Sequence, residues 1–307
     1  MKILVATEKP FAKEAVNGIQ NIVETAGYEL VLLEKYTDKT DLFKAVETAD
    51  ALIVRSDKVT KEVVSAAKNL KIVVRAGAGY DNVDLAACSE KNIVVMNTPG
   101  QNSNAVAELA IGMMIYLSRN CFTAGTGAEI SGKTLGIHAY GNVGRIVAKY
   151  GKALGMNVFA YDPFITDEKI YEADGVTCVK SIEELYSKSQ YLSLHIPANE
   201  QTKKSINYDL MSKMPKGAVI INTARKEVID EDGLKKILAD RPDFKYATDI
   251  AADCQEELNS TFAKRVFDTP KKMGAETAEA NVNAGLAAAN QIVSFLKNGD
   301  TKFQVNK

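Results

Sequence analysis

Short apolar runs alternate with segments of helical apolar spacing from residue 2 to residue 96. The runs at 2–6, 29–33, 51–54, 72–75 and 93–96 predict strands, and the segments between them predict helices. Strands that are apolar throughout, rather than at alternate positions, suit a parallel sheet covered on both faces. Asn97-Thr-Pro-Gly100 breaks the pattern, and a long apolar helix follows over 103–117, with Ser103 or Asn104 as its cap. The alternation then resumes. Strands are predicted at 134–139, 157–161, 176–179, 191–194, 218–222 and 246–249, with a helix over 143–154. A last apolar helix, 276–297, comes after the second sheet is complete and is expected to pack back on the first domain. The pattern therefore predicts an α/β protein of two doubly wound parallel-sheet domains, which suits 307 residues at about 150 per domain.

Composition narrows the function classes. The chain carries 38 basic and 39 acidic residues and is 46% apolar, so no basic surface points to nucleic acid or to a membrane. No apolar run reaches the roughly 18 residues of a membrane span. Cys88, Cys121, Cys178 and Cys254 are dispersed without metal or redox spacing, so no metal is expected. The chain begins with a strand rather than a signal sequence, and a cytoplasmic location is the expectation.

The most informative stretch runs from Gly132 to Pro163. Residues 134–139 read as a strand, 139–144 (Ala-Tyr-Gly-Asn-Val-Gly) as a tight turn opening a helix, and 157–161 as a second strand closed by Asp162. A glycine turn at a helix N-terminus holds a pyrophosphate, and an acid after the next strand accepts from a ribose 2′-hydroxyl. Asp162 follows Gly144 by 18 residues, close to what a helix and a strand need. Ala139 stands at the first glycine position, so a slightly altered turn is expected; Gly141 and Gly144 are both present. Ala139, Tyr140, Gly141, Asn142, Val143 and Asp162 are thus the candidate cofactor residues, and Asp162 predicts NAD over NADP.

Ligands of open parallel sheets gather beyond the carboxyl ends of strands, and the residues there are unusually polar. Arg55 ends the third predicted strand, Arg75-Ala-Gly-Ala-Gly-Tyr-Asp-Asn-Val-Asp84 follows the fourth, and Asn97 to Ser103 follows the fifth. His195-Ile-Pro197, Asn222-Thr-Ala-Arg225 and Asp249 occupy the same level in the second domain. Three arginines at strand ends, Arg55, Arg75 and Arg225, predict a cradle for a small, strongly anionic substrate.

These motifs resemble the D-2-hydroxyacid dehydrogenase family over nearly the whole chain, and within it the phosphoglycerate dehydrogenases. Val54-Arg-Ser56, the Arg75–Asp84 segment and Val95-Met-Asn-Thr-Pro99 through Ala107-Glu108 are similar to substrate-domain signatures, and Asn222-Thr-Ala-Arg225 with Val228-Ile-Asp230 to the catalytic arginine segment. The resemblance implies a discontinuous flavodoxin-like substrate domain, 1–98 plus 277–307, around a Rossmann NAD domain, 99–276. It also implies a homodimer and, at this length, no regulatory C-terminal domain. Arg225 with the Gly77, Ala78 and Gly79 amides would hold a carboxylate, Arg55 and Arg75 a phosphate, and Asn102 would join them around 3-phosphoglycerate between the two domains. His195, Ile196 and Pro197 would line the adenosine, Thr223 and Ala224 would belong to the cofactor site, and Asp249 would lie beside the nicotinamide.

Two positions depart from the family pattern. Its glutamate–histidine acid/base pair falls here on Cys254 and on Thr269-Pro-Lys-Lys-Met-Gly274. A lysine is expected to replace the histidine, Lys272 in preference to Lys271, because counting back from Gly274 keeps the usual separation. The departures are linked. A carboxylate partner usefully raises an imidazole near about 6.5, whereas a lysine near about 10.4 would be pushed the wrong way. The remaining readings are another 2-hydroxyacid dehydrogenase, acting on glyoxylate, hydroxypyruvate or D-lactate, and a non-catalytic NAD-sensing protein.

Overall fold

Each apolar run becomes a parallel strand in the computed structural model of the protein, which describes residues 1–307. The chain divides into two units, 1–102 with 276–307, and 103–275. No helix is long and apolar enough to cross a membrane.

The first unit contains β1 (Lys2–Thr7), β2 (Glu29–Glu34), β3 (Ala51–Val54), β4 (Ile72–Arg75) and β5 (Val94–Asn97), in the order β2-β1-β3-β4-β5. This is the flavodoxin-like order, and the chain reverses direction across the sheet between β1 and β3. Because successive side chains of a strand point to opposite faces, β1 supplies both cores: Ile3 and Val5 to one, Leu4 and Ala6 to the other. The last helix, Ala278–Asn298, does return to this unit, where Ala284, Ala288 and Ile292 join Ile3, Val5 and Ile72. Its start lies two residues beyond the expected one, since Thr277 is the cap and its Oγ1 accepts from the Ala280 amide at 3.1 Å.

The second unit contains β6 (Thr134–His138), β7 (Asn157–Tyr161), β8 (Thr177–Cys178), β9 (Tyr191–Leu194), β10 (Val219–Asn222), β11 (Lys245–Thr248) and β12 (Val266–Asp268). Their order, β12-β11-β10-β9-β6-β7-β8, reverses between β6 and β9 and is that of a dinucleotide-binding sheet with one added edge strand. That edge strand, β12, was not expected. At three residues it is too short to show as an apolar run, and it forms because Val266 pairs with Tyr246 of β11. The opposite edge is shorter than predicted, two residues instead of four. The capping expectation at 103–104 also needs correction: Ser103 is already the first residue of the helix Ser103–Ser118, and the Asn104 amide donates to Glu108 instead.

Candidate active site

The turn after β6 combines backbone strain with close packing. Ala139 adopts φ 76°, a left-handed conformation, and its amide donates to the Tyr161 carbonyl at 2.9 Å. The expected cost of alanine at the first glycine position is therefore visible in the backbone. Left-handed φ costs an L residue about 1–2 kcal/mol, and glycine's extra freedom in the unfolded chain returns about 0.5–1 of that. Ala139→Gly should accordingly raise stability by about 0.5–1 kcal/mol, which a pair of chemical denaturation curves would detect, and should leave cofactor binding intact. Gly141 caps the helix Asn142–Ala153 with no side-chain hydrogen bond, leaving the first-turn amides for an anion.

Asp162 is held just beyond the end of β7. Its Oδ2 accepts from the Tyr140 amide at 2.8 Å and its Oδ1 from the Phe164 amide at 2.9 Å, so the carboxylate is fixed while each oxygen keeps a lone pair. Tyr140 serves this arrangement through its backbone. Its ring is fully buried, stacked on Tyr171, and its hydroxyl donates to Asp174 at 2.8 Å.

The neighbouring strands β9, β10 and β11 end in a second polar group. Asn222 closes the Thr223–Arg225 turn: its Oδ1 accepts from the Ala224 amide at 3.0 Å, and its Nδ2 donates to the Arg225 carbonyl at 3.0 Å. Three buried polar atoms at these strand ends have no partner: His195 Nε2, Thr223 Oγ1 and Asp249 Oδ1. An orphaned buried polar atom costs about 1–3 kcal/mol, so three on adjacent strands mark a place shaped for a polar ligand. Together with the uncapped helix and Asp162 they fit a nicotinamide dinucleotide. Ile196 and Ala224 are buried beside them, while Pro197 is exposed.

Asp249 also anchors the segment that carries the two lysines. Its Oδ2 accepts from the Met273 amide at 3.2 Å and the Gly274 amide at 2.7 Å, and Thr269 Oγ1 donates to the Lys271 carbonyl at 2.6 Å. A Cβ on Gly274 would stand 3.0 Å from that same carboxylate. The loop is thus pinned on both sides of Lys272, and both lysines are exposed. At the position of the family glutamate, Cys254 has a carboxylate neighbour that sequence reading missed. Glu231 accepts from the Asp253 amide at 2.8 Å and the Cys254 amide at 3.0 Å. Burial, reinforced by Glu231, pushes the Cys254 thiol up to about 12, so it stays protonated. The visible signal for Glu231 was only an acid in the first turn of a helix, a common place for one.

The two histidines are unsuited to proton transfer near neutrality. His138 Nδ1 lies 3.3 Å from the Tyr186 hydroxyl, and burial lowers its pKa to about 4; burial, with His138 nearby, lowers that of His195 to about 3. Both imidazoles are neutral in the fold, whereas in the unfolded chain they bind protons below about 6.5. Stability is therefore unaffected above that value and falls as pH drops toward the folded values. Between about pH 7.5 and 5.5 the two should together remove on the order of 3 kcal/mol. Urea titrations of the cofactor-free protein at the two pH values measure this, and His138→Gln should reduce the loss by about half.

The first unit holds the other two arginines. Arg75 Nε donates to the Arg55 carbonyl at 2.9 Å, and Asn82 Nδ2 donates to that carbonyl at 3.3 Å and to the Asp57 carbonyl at 2.6 Å. Gly77 has φ 147°, and a Cβ there would fall 1.5 Å from Arg75 Nη1; only glycine lets the guanidinium lie against this backbone. The loop that follows is held by Thr98, whose amide donates to the Gly77 carbonyl at 3.0 Å, and by Asn97, whose Nδ2 donates to the Ala78 carbonyl at 2.6 Å. Gly79 and Asn102 are half-buried in the same unit. In the second unit, Arg225 Nη1 donates to the Ala224 carbonyl at 2.8 Å.

Comparison with known proteins gives concordant results. Residues 115–270 match the family described as "D-isomer specific 2-hydroxyacid dehydrogenase, NAD binding domain". A D-3-phosphoglycerate dehydrogenase of Methanocaldococcus jannaschii is 35% identical over 97% of this chain, and the chain spans 58% of that relative's length. A hydroxypyruvate reductase of Thermotoga maritima is also 35% identical, over 95% of this chain and 98% of its own. The crystal structure of an NAD+-bound 3-phosphoglycerate dehydrogenase of Entamoeba histolytica is similar at a TM-score of 0.88 and 52% identity, over 100% of this chain and 99% of that one.

Proposed function

This chain belongs to the D-isomer specific 2-hydroxyacid dehydrogenase family, and from that premise we propose that it oxidises D-3-phosphoglycerate to 3-phosphohydroxypyruvate with NAD. The observation that carries the substrate is the tie between Arg55 and Arg75, which brings two guanidinium-bearing residues together at adjacent strand ends. Two guanidinium groups side by side match the charge and the oxygen geometry of a phosphate.

Arg225, with the amides of Gly77, Ala78 and Gly79, orients the C1 carboxylate; Arg55 and Arg75 hold the phosphate, with Asn102 beside them. The turn from Ala139 to Val143 and Asp162 would hold NAD, which would supply the acceptor for the C2 hydride. In oxidation the Lys272 amine takes the proton of the C2 hydroxyl; in the reverse direction its ammonium returns that proton to the ketone. Asp249 keeps Lys272 in place through the two amides it accepts from. Asp162 directs the choice of cofactor, because a 2′-phosphate would meet a carboxylate. Entry into serine biosynthesis, a cytoplasmic location and a homodimer complete the reading.

The test follows NADH formation across pH with 3-phosphoglycerate, D-glycerate and D-lactate, using NAD and NADP in parallel. Loss of charge-assisted contacts worth about 1.5–3 kcal/mol predicts a kcat/KM for the phosphorylated acid at least about tenfold, and up to about a hundredfold, above the others. Equal rates would favour another 2-hydroxyacid dehydrogenase. NADH binding without turnover of any acid would favour a sensing protein.

A further inference from the structure

Arg55 does not hold itself in place. Its Nη1 donates to the carbonyls of Lys9 at 3.2 Å and Pro10 at 3.3 Å, its guanidinium carbon lies 5.2 Å from the Phe11 ring centroid, and its Nη2 donates to Oδ1 of Asn281. The backbone contacts fix one end of the group and the ring fixes its plane. Asn281 alone, from the helix Ala278–Asn298, fixes Nη2.

The orientation of the Asn281 amide is determined by its surroundings. Its Nδ2 donates to the Thr277 carbonyl at 2.8 Å, one helical turn back, so its oxygen must be the atom that meets Arg55. A reversed amide would lose both hydrogen bonds. Of the five guanidinium N–H groups, Nη1 offers two to carbonyls and Nη2 one to Asn281. Nε–H and one Nη2–H remain for a ligand.

We propose that Asn281 is a positioning residue for substrate selection: by accepting from Nη2 and donating to Thr277, it sets Arg55 so that its two remaining donors meet the substrate phosphate. The inference rests on the proposed preference for a phosphorylated acid. The side-chain hydrogen bonds of Asn281 go to Arg55 and Thr277, so its influence falls on ground-state binding of the phosphate and not on proton or hydride transfer.

The experiment compares Asn281→Leu, Asn281→Gln and Arg55→Met with the full-length wild type, alone and with Asn281→Leu combined with Arg55→Met. Asn281→Leu should raise KM for 3-phosphoglycerate about tenfold with kcat within about twofold, and should leave kcat/KM for D-glycerate within about twofold. Asn281→Gln, which keeps the amide, should recover most of the lost affinity. In the Arg55→Met background Asn281→Leu should add nothing, because the residue acts through that guanidinium. NADH affinity and thermal midpoint serve as folding controls. An unchanged KM in Asn281→Leu, or equal losses with both acids, would overturn the inference while the phosphorylated acid remained the preferred substrate. A wild type without that preference would overturn the underlying reading and the inference with it.

Discussion

Replacing Lys272 with methionine should lower kcat by about a hundredfold to ten thousandfold, the range a positioned general acid or base supplies, while leaving NADH affinity in place. Burial keeps both histidines of the chain neutral at physiological pH, so neither can substitute. Glu231 is bonded to the amides of Asp253 and Cys254, and the Cys254 thiol is held in its protonated form. Asp249 and Thr269 anchor the segment around Lys272 through its backbone, and methionine preserves those anchors. A fall in kcat therefore reports loss of the amine and not collapse of the loop. Lys271→Met is the internal control and should retain most of the rate; steady-state kinetics with 3-phosphoglycerate compares the two.

The second large effect is expected at Gly144. An added Cβ would stand 2.3 Å from the Ala139 carbonyl oxygen and 2.9 Å from Ile137 Cγ2. The first obstacle cannot yield cheaply, because it is backbone: Ala139 already sits at positive φ and is tied to Tyr161 by its amide. Gly144→Ala must instead push the helix Asn142–Ala153 away from β6, and overpacking of this kind costs about 3 kcal/mol. Its N-terminal amides move with it, so NADH affinity should fall at least about tenfold. Gly141 has open space around it, with nothing within 4 Å of where a Cβ would stand. Gly141→Ala should therefore destabilise the fold far less while still obstructing the pyrophosphate. Paired denaturation curves and fluorescence titrations separate the two glycines.

The sheets were legible because parallel strands buried on both faces leave unbroken apolar runs, as at 51–54 and 72–75. β12 left no such mark, being three residues long on an edge. The strand-end arginines were legible because topology says where ligands gather, before any side chain is placed. What holds them was not. Arg55 meets Asn281 across 226 residues of sequence, and a single asparagine in the first turns of a helix carries no pattern. Tyr140 shows another limit: its amide orients Asp162 and its ring fills the core, and its place in the turn announced neither. The orphaned atoms of His195, Thr223 and Asp249 emerge only when three strand ends are brought side by side.

The most direct test of an amine as the proton carrier is the pH dependence of kcat/KM for oxidation in the wild type and in Lys272→His. An amine is ordinarily several pH units more basic than an imidazole, by about 4. If Lys272 carries the proton, Lys272→His should be an active enzyme whose rising limb lies at distinctly lower pH than that of the wild type. Coincident profiles for the two proteins would contradict that role.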